Sequence, residues 1–424
     1  MKTKYNIAEV MKKWSDSEEL GRLSIGDLSE DLQENMATLL ENQESVDFNG
    51  DDVLNEANFS NSTNSITQLG QDSAYKPIAL ALVRRTFPAL FANKVVGVQA
   101  MSTPVGLAYA LRIIYADRSN NNVGPEAAWD QVPTYSGFTG STSGTSATYS
   151  TSGSGTGVNT SAGENWQIGT DYPQLKLQLE QVAIVAKTRK LAASFSLEAA
   201  QDIRAMHNLD IEREIVNVLQ YEIIAELDRE LISKLKTTAV TGTGGAAAVQ
   251  LDMNQTQSSA TSYIDGRYSQ EQLASMVTSI IHQANVIATS TRRGAGNFVV
   301  VSPTVSTALQ SVRPAFSGND ASVNATQAGV AQIGTLNGNI TVYRDQYATD
   351  DYALVGYKGP GQNDCGVIYS PYISGVMNRT IAQEDFSPRI GVMSRYAITD
   401  SLLGSGRYYR LMTFANMSKV VSGA

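Results

Sequence analysis

Two histidines, His207 and His282, and one cysteine, Cys365, are all that 424 residues offer for imidazole or thiol chemistry. A hydrolytic triad needs a nucleophile, a base and an orienting acid, and neither histidine has a local Ser/His/Asp or Cys/His signature beside it. His207 lies among helix-boundary residues and His282 within an amphipathic pattern, so both read as surface or structural groups. A lone cysteine excludes an intrachain disulfide, and no Cys/His set has zinc-ligand spacing. A buried free thiol is expected. Asp345, Asp350 and Asp351 could collect a cation, but they lack EF-hand spacing and read as solvated turn acids. Gly242-Thr243-Gly244-Gly245-Ala246 lacks the phosphate-binding lysine and follows a helical pattern, so it reads as a loop, and Gly356–Gly361 as a turn. Arg84-Arg85 and Arg292-Arg293 are isolated basic pairs without the field a nucleic-acid surface needs. No catalytic residue, metal or cofactor is expected.

Charge is more informative than any of these groups. Residues 1–56 hold 14 Asp or Glu against 5 Lys or Arg, a balance of −9 that equals the whole chain's net charge. The remaining 368 residues therefore sum to zero. A neutral body adds no long-range repulsion when many copies meet, whereas an acidic leader on every copy would. The change falls within VLNEANFS, at Glu56-Ala57. The Asn-, Ser-, Thr- and Gln-rich stretch 57–76 that follows reads as a flexible junction open to an endopeptidase.

These residues must be positioned by a mixed set of elements. Ile7–Trp14 and Leu32–Leu40 carry apolar residues at helical spacing among acids, predicting one or two amphipathic helices. They are too short and charged for a core of their own, and suit docking against other chains or transient helicity. Core-like sequence begins at Pro77, with Lys94–Met101 reading as extended. Val105–Ile114 and the alternating Leu175–Ala186, the latter with one face buried, flank the Ser/Thr/Gly tract Gly137–Trp166. They read as arms of one long hairpin with a flexible projecting tip.

The clearest helix runs over Asp210–Lys236, capped by Asp210, with Ile211, Ile215, Leu219, Ile223, Leu227, Leu231 and Leu235 every fourth residue. Val218, Ile224 and Ile232 widen this stripe, whose drift demands more than one packing partner. Glu222, Glu226, Arg229 and Glu230 are assigned to the remaining surface. A second helix is predicted over Gln270–Ser290, and Pro303 opens a third. Strands are predicted at Asn297–Val301, Ile340–Tyr343, Tyr352–Tyr357 and Val367–Tyr369. The order is α+β without regular βαβ units. No apolar run reaches the roughly 18 residues of a membrane span, and the amino terminus lacks a basic-then-apolar secretory pattern, so synthesis inside the cell is expected.

Several segments, in order, carry a resemblance: LVRRTFPALFANKVVGVQAMSTPVGLAYALR, FSLEAAQDIRAMHNLDIEREIVNVLQYEIIAELDRE, TRRGAGNFVVVSPTVSTAL, DYALVGYKG and PYISGVMNRTIAQEDFSPRIGVMSRYAI. Spread over most of residues 77–400, they resemble the major head (capsid) protein family of T-even-type tailed bacteriophages. The resemblance implies a tailed-phage capsid fold: an acidic propeptide, 1–56; an amino-terminal arm and the start of a peripheral domain, 57–114; and an extended hairpin loop, 115–188. It further implies a peripheral domain with the spine helix, 189–267, an axial domain, 268–372, and a return to the peripheral domain, 373–424. The hairpin has the Ser/Gly/Thr tract where some relatives carry a folded insertion.

What the resemblance implies about function is a virion shell protein, assembled in the host cytoplasm into hexameric capsomers around an internal scaffold. Portal and vertex proteins and a prohead protease are its implied partners, a separate decoration protein could compensate for the absent insertion, and packaged double-stranded DNA is met non-specifically. The protease of such systems cuts after a glutamate preceded two positions earlier by Leu or Ile. Leu54, Glu56 and Ala57 match, as do Ile7-Ala8-Glu9, Leu32-Gln33-Glu34 and Leu39-Leu40-Glu41. Position and charge favour Glu56. Other readings are a cargo-encapsulating cellular shell of the same fold, a polymer-acting hydrolase using paired carboxylates, and an exported surface-array protein.

Overall fold

A computed structural model of the chain describes residues 7–15, 30–48, 90–116, 122–126, 159–164, 174–207, 211–252 except 243, 262–263, 269–312, 316–318, 330–361, 364–382, 387–402 and 404–417. Leu54, Glu56, Ala57, the 57–76 junction, Arg84-Arg85, Asp210 and most of the Ser/Thr/Gly tract lie outside them.

Fifteen described strands form three sheets. They are β1 (Gly97–Val98), β2 (Val105–Ala116), β3 (Asn122–Glu126), β4 (Gln174–Val185) and β5 (Lys187–Ser194). Then come β6 (Val249–Asp252), β7 (Ser262–Tyr263), β8 (Phe298–Val301), β9 (Phe316–Gly318) and β10 (Val330–Leu336). The chain continues through β11 (Ile340–Asp345), β12 (Tyr352–Gly356), β13 (Val367–Ile381), β14 (Pro388–Asp400) and β15 (Tyr409–Ala415). An eight-stranded mixed sheet has the order β7-β6-β15-β12-β8-β11-β10-β9, a four-stranded sheet β1-β13-β14-β5, and a three-stranded sheet β3-β2-β4. Mixed helices and sheets make the chain α+β.

The eight-stranded sheet is apolar on both faces, which explains why its central strands read as continuous hydrophobic runs. In β8 and β12, Phe298, Val300, Tyr352 and Leu354 point to one core, while Val299, Val301, Ala353 and Val355 point to the other. The helix Ser269–Thr291 covers the second face with Leu273, Val277, Ile280, Ala284 and Ile287, as its spacing predicts. The helix Pro303–Ser311 joins it, with Ser302 Oγ accepting from Val305 N–H at its start.

The first face is covered by the long helix, Ile211–Thr241, 31 residues and about 46 Å. Its buried stripe drifts as expected from one partner to another. Val216 and Leu219 meet Ile390 and Val392 of the four-stranded sheet, while Leu227, Leu231, Ile232 and Leu235 join the core beneath the eight-stranded sheet. Val218 does not belong to the stripe and is 60% exposed. Glu226 and Glu230 stay at the surface, 41% and 39% exposed, but are paired: Arg189 of β5 reaches both at 2.6 Å, and Tyr396 of β14 donates to Glu230. Lys234 and Thr238 reach Asp400 at 2.6 and 2.9 Å, and Glu212 reaches Arg379 at 2.6 Å. These polar links fix the rotation of the helix against the four-stranded sheet.

Two local expectations change. Lys94–Met101 begins as a helical turn, Ala92–Val95, before the two-residue β1. Asp345 is buried, not solvated, accepting from Tyr352 OH at 2.6 Å and Tyr347 N–H at 3.0 Å. Asp351 accepts from Ser302 Oγ, so the three aspartates do not converge.

Leu235→Ala removes a side chain with no exposure and should cost about 2–5 kcal/mol in urea unfolding of the soluble subunit. Val218→Asp, on the open side of the same helix, should change that free energy by about 0.5 kcal/mol or less. Equal losses at both positions would contradict the assigned face.

Candidate assembly surfaces

The hairpin arms pair over twelve registered positions, from Val105 opposite Val185 to Ala116 opposite Gln174. Directly opposed residues share a face. One face therefore carries Val105, Leu107, Tyr109, Ile113, Leu175, Leu177, Leu179 and Val185, and each of these is between 38% and 66% exposed. The other face presents Lys176, Gln178 and Glu180 toward the outer end and buries Ile114 and Ile184. The sequence expectation of a strand pair with one apolar face holds; its burial does not. Within one chain that face has no cover, and an apolar strip about 40 Å long is more than an isolated soluble subunit ordinarily shows.

The acidic leader is placed differently from expectation. Helices α1 (Ile7–Ser15) and α2 (Glu30–Phe48) dock on the chain's own body instead of standing free for other chains. Trp14, Met36, Leu39 and Leu40 are essentially unexposed and share a core with Phe91, Val95, Val98, Leu227 and Tyr369. Burying four such side chains is worth roughly 6–12 kcal/mol before subtracting the entropy of ordering the segment. Glu41 ties the two helices together, accepting from Lys13 Nζ at 3.0 Å and Trp14 Nε1 at 3.2 Å. Asn35 and Asn42 bond to the backbone of β1, of the residues after it and of Tyr372 in β13. Their signal in the sequence was an i, i+7 pair of amides flanking Leu39 on what is otherwise an apolar stripe.

Beside this core, Asp228 of the long helix accepts from Phe91 N–H at 3.2 Å. Burial pushes its carboxyl up to about 7, against the opposing pulls of the Phe91 bond and Lys94. Arg189 behaves oppositely: burial alone would lower its pKa, but hydrogen bonds to Glu230 and Tyr396 hold it above the ordinary value.

Nothing among the described residues assembles into a catalytic centre. His207 and His282 are both exposed on helices, Cys365 is buried with its thiol pushed up to about 11 by burial, and Gly242–Ala246 closes the long helix. No group of three or more metal-ligating side chains occurs among the described residues, and no described helix is long and apolar enough to cross a membrane. A concavity lined by Leu90, Ile223, Leu227, Tyr369 and Val392, with Gln220, Ser374 and Ser394 as its polar groups, is mostly apolar and holds no acid–base pair.

A family model described as Major capsid protein Gp23 matches residues 73–420. The chain belongs to that family. Among its relatives, the major capsid protein of Vibrio phage KVP40 is 28% identical, over 82% of this chain and 80% of the relative. That of Enterobacteria phage T4 is 28% identical over 83% and 80%, and that of Serratia phage KSP90 30% identical over 76% of each. The solved capsid of cyanophage P-SCSP1u is 10% identical with a TM-score of 0.42, covering 77% of this chain and 88% of that one, a likeness too loose to carry an argument. As a major capsid protein the chain is a structural component of a phage head shell, not an enzyme.

Asp228 makes the fold's stability depend on pH in a definite direction. A carboxyl whose pKa rises from 3.8 to about 7 on folding stabilises the native state below the unfolded value, and that contribution is lost as pH rises through the folded one. Unfolding free energy from urea titration should fall between about pH 4 and 7, by roughly 1–3 kcal/mol more in the natural chain than in Asp228→Asn. Parallel profiles for the two proteins would show that Asp228 keeps an ordinary pKa.

Proposed function

We propose that this capsid protein assembles as hexameric capsomers into a head shell enclosing double-stranded DNA, and that its hairpin bridges neighbouring subunits. The observation that carries this reading is the uncovered apolar face of β2 and β4. Eight side chains that would be core in another context lie open along the β2–β4 ladder of the three-stranded arm, and a second copy of the chain is the partner present at every such position in a shell. In this reading residues 189–267 and 373–424 form the peripheral domain around the long helix, and residues 268–372 the axial one.

In the same proposal the leader meets an internal scaffold and is removed by a prohead protease between Glu56 and Ala57. Support comes from charge and from the competing sites. Removing residues 1–56 takes nine net negative charges from each subunit, which lessens repulsion toward polyanionic DNA without a base-reading surface. Of the other matching tripeptides, Ile7-Ala8-Glu9 begins α1 and Leu32-Gln33-Glu34 and Leu39-Leu40-Glu41 lie within α2, where Leu39 and Leu40 have no exposure; Leu28-Ser29-Glu30 also matches, ends at the first residue of α2, and is disfavoured by the position of the charge boundary alone. Endopeptidases act on accessible extended chain, so a docked helix is a poor substrate. Portal, vertex and decoration proteins complete the assembly in this reading.

Two measurements check it. Intact-mass analysis of mature particles should find a chain starting at Ala57, and Glu56→Ala should leave the leader attached; a start near Asn42 or Met1 would refute the assigned cut. Leu177→Asp with Leu179→Asp should leave subunit unfolding nearly unchanged while abolishing shells seen by electron microscopy. Normal shell yield from that variant would remove the hairpin from its bridging role.

A further inference from the structure

We propose that residues 30–42 of α2 are an intramolecular ligand for the free edge of β1, and that this ligand stays bound after the chain behind it is cut. Severing the leader and releasing it are then separate steps. The inference takes its timing from the cleavage proposed above, but its contacts are those of the intact chain.

β1 is the outer strand of the four-stranded sheet. On the side facing β13, Gln99 and Met101 donate their N–H groups to Tyr369 O and Pro371 O at 3.0 and 2.9 Å. On the outer side, Val98 O and Ala100 N–H are the pair that a further strand would take up. Asn35 takes both: its Nδ2 donates to Val98 O at 3.1 Å, and its Oδ1 accepts from Ala100 N–H at 2.9 Å. One carboxamide thus stands in for the peptide group of a missing neighbour strand.

Two helical turns later, Asn42 Nδ2 donates to Met101 O at 2.8 Å and Tyr372 O at 3.0 Å. Seven residues of helix rise about 10 Å, and the three steps from Val98 to Met101 also span about 10 Å, so the two amides keep pace with the strand edge. Between them Met36, Leu39 and Leu40 fill the apolar floor. Such a site reads a helix with Asn at i and i+7 around a Met/Leu stripe, which is the chemistry of this segment itself.

None of these contacts uses the covalent link at Glu56-Ala57, and none of those described that reach β1 is ionic. Cutting the chain removes the tether but leaves the docked surface intact. Because the contacts are neutral, salt should not dissolve them, whereas a leader held by its nine net negative charges would leave as salt is raised. Release would then require movement of the strand edge relative to α2.

The test inserts a recognition sequence for an unrelated site-specific protease between Glu56 and Ala57 of the full chain, and cuts the folded, unassembled subunit. That makes the outcome independent of whether the natural cut falls there. After cleavage, the leader fragment should co-elute with the body in size exclusion at both 0.15 M and 1 M NaCl (about physiological strength, and far above it). Asn35→Ala with Asn42→Ala should release it about tenfold faster or more, since each change leaves buried backbone groups without partners. Should that variant fail to fold, amide exchange on the natural sequence decides: Ala100 N–H should be protected while the cut fragment is bound and exchange freely once it is stripped. Immediate loss of the natural fragment, loss only at high salt, undiminished retention by a folded double variant, or unchanged Ala100 exchange would each overturn the proposal.

Discussion

The β2–β4 ladder, with one face apolar but for Gln181, constrains everything else in this molecule, because water is a poor partner for that face. If the eight side chains on that face are on average half exposed in the single chain, covering them is worth of the order of 10 kcal/mol per subunit before association entropy is subtracted. No element of the chain's described residues supplies that cover. The remainder of the fold can be understood as what holds such an arm at a fixed angle and keeps the subunit soluble until copies meet.

The long helix is the fixed reference for that geometry. The apolar stripe of its first half packs on the four-stranded sheet and that of its second joins the core beneath the eight-stranded sheet, while Lys234 and Thr238 keep polar contact with β14, so one rigid rod couples both. Hydrophobic packing alone would tolerate rotation about its axis. The Arg189, Asp400 and Arg379 ion pairs remove that freedom, and Arg189 sits on β5, which follows β4 of the hairpin after a single residue. The arm's base is therefore connected through a short, stiff path to the helix that orients both sheets.

Sequence periodicity carried much of this architecture. The helices Ile211–Thr241 and Ser269–Thr291 are legible because their apolar residues recur at helical spacing over many turns, and the hairpin arms because Leu175, Leu177 and Leu179 alternate. Alternation identifies an apolar face but not whether the same chain covers it, and here it does not. Val218 was added to widen the four-residue series yet faces solvent, since an apolar residue next to a stripe in sequence need not lie on its buried side. Asn35, Asn42 and Asp345 were opaque for a different reason: the two amides bond backbone groups distant in sequence, Asp345 bonds the nearby Tyr347 N–H and Tyr352 OH, and an amide or carboxylate shows no sign of being buried. The resemblance of LVRRTFPALFANK and its companions supplied the assembly context that periodicity could not.

The leader adds a second use of the same physics. Neutral contacts from Asn35, Asn42 and the Met36, Leu39 and Leu40 stripe hold it to a strand edge, so the segment can be strongly acidic and well anchored at once. The central claim is nonetheless the uncovered hairpin face. Hydroxyl-radical footprinting of free subunits and of assembled shells tests it most directly: labelling at Leu175, Leu177, Leu179 and Val185 should be strong in the subunit and fall sharply in the shell, with little change at Gln178 and Glu180. Equal labelling of the leucines in both states would contradict the account.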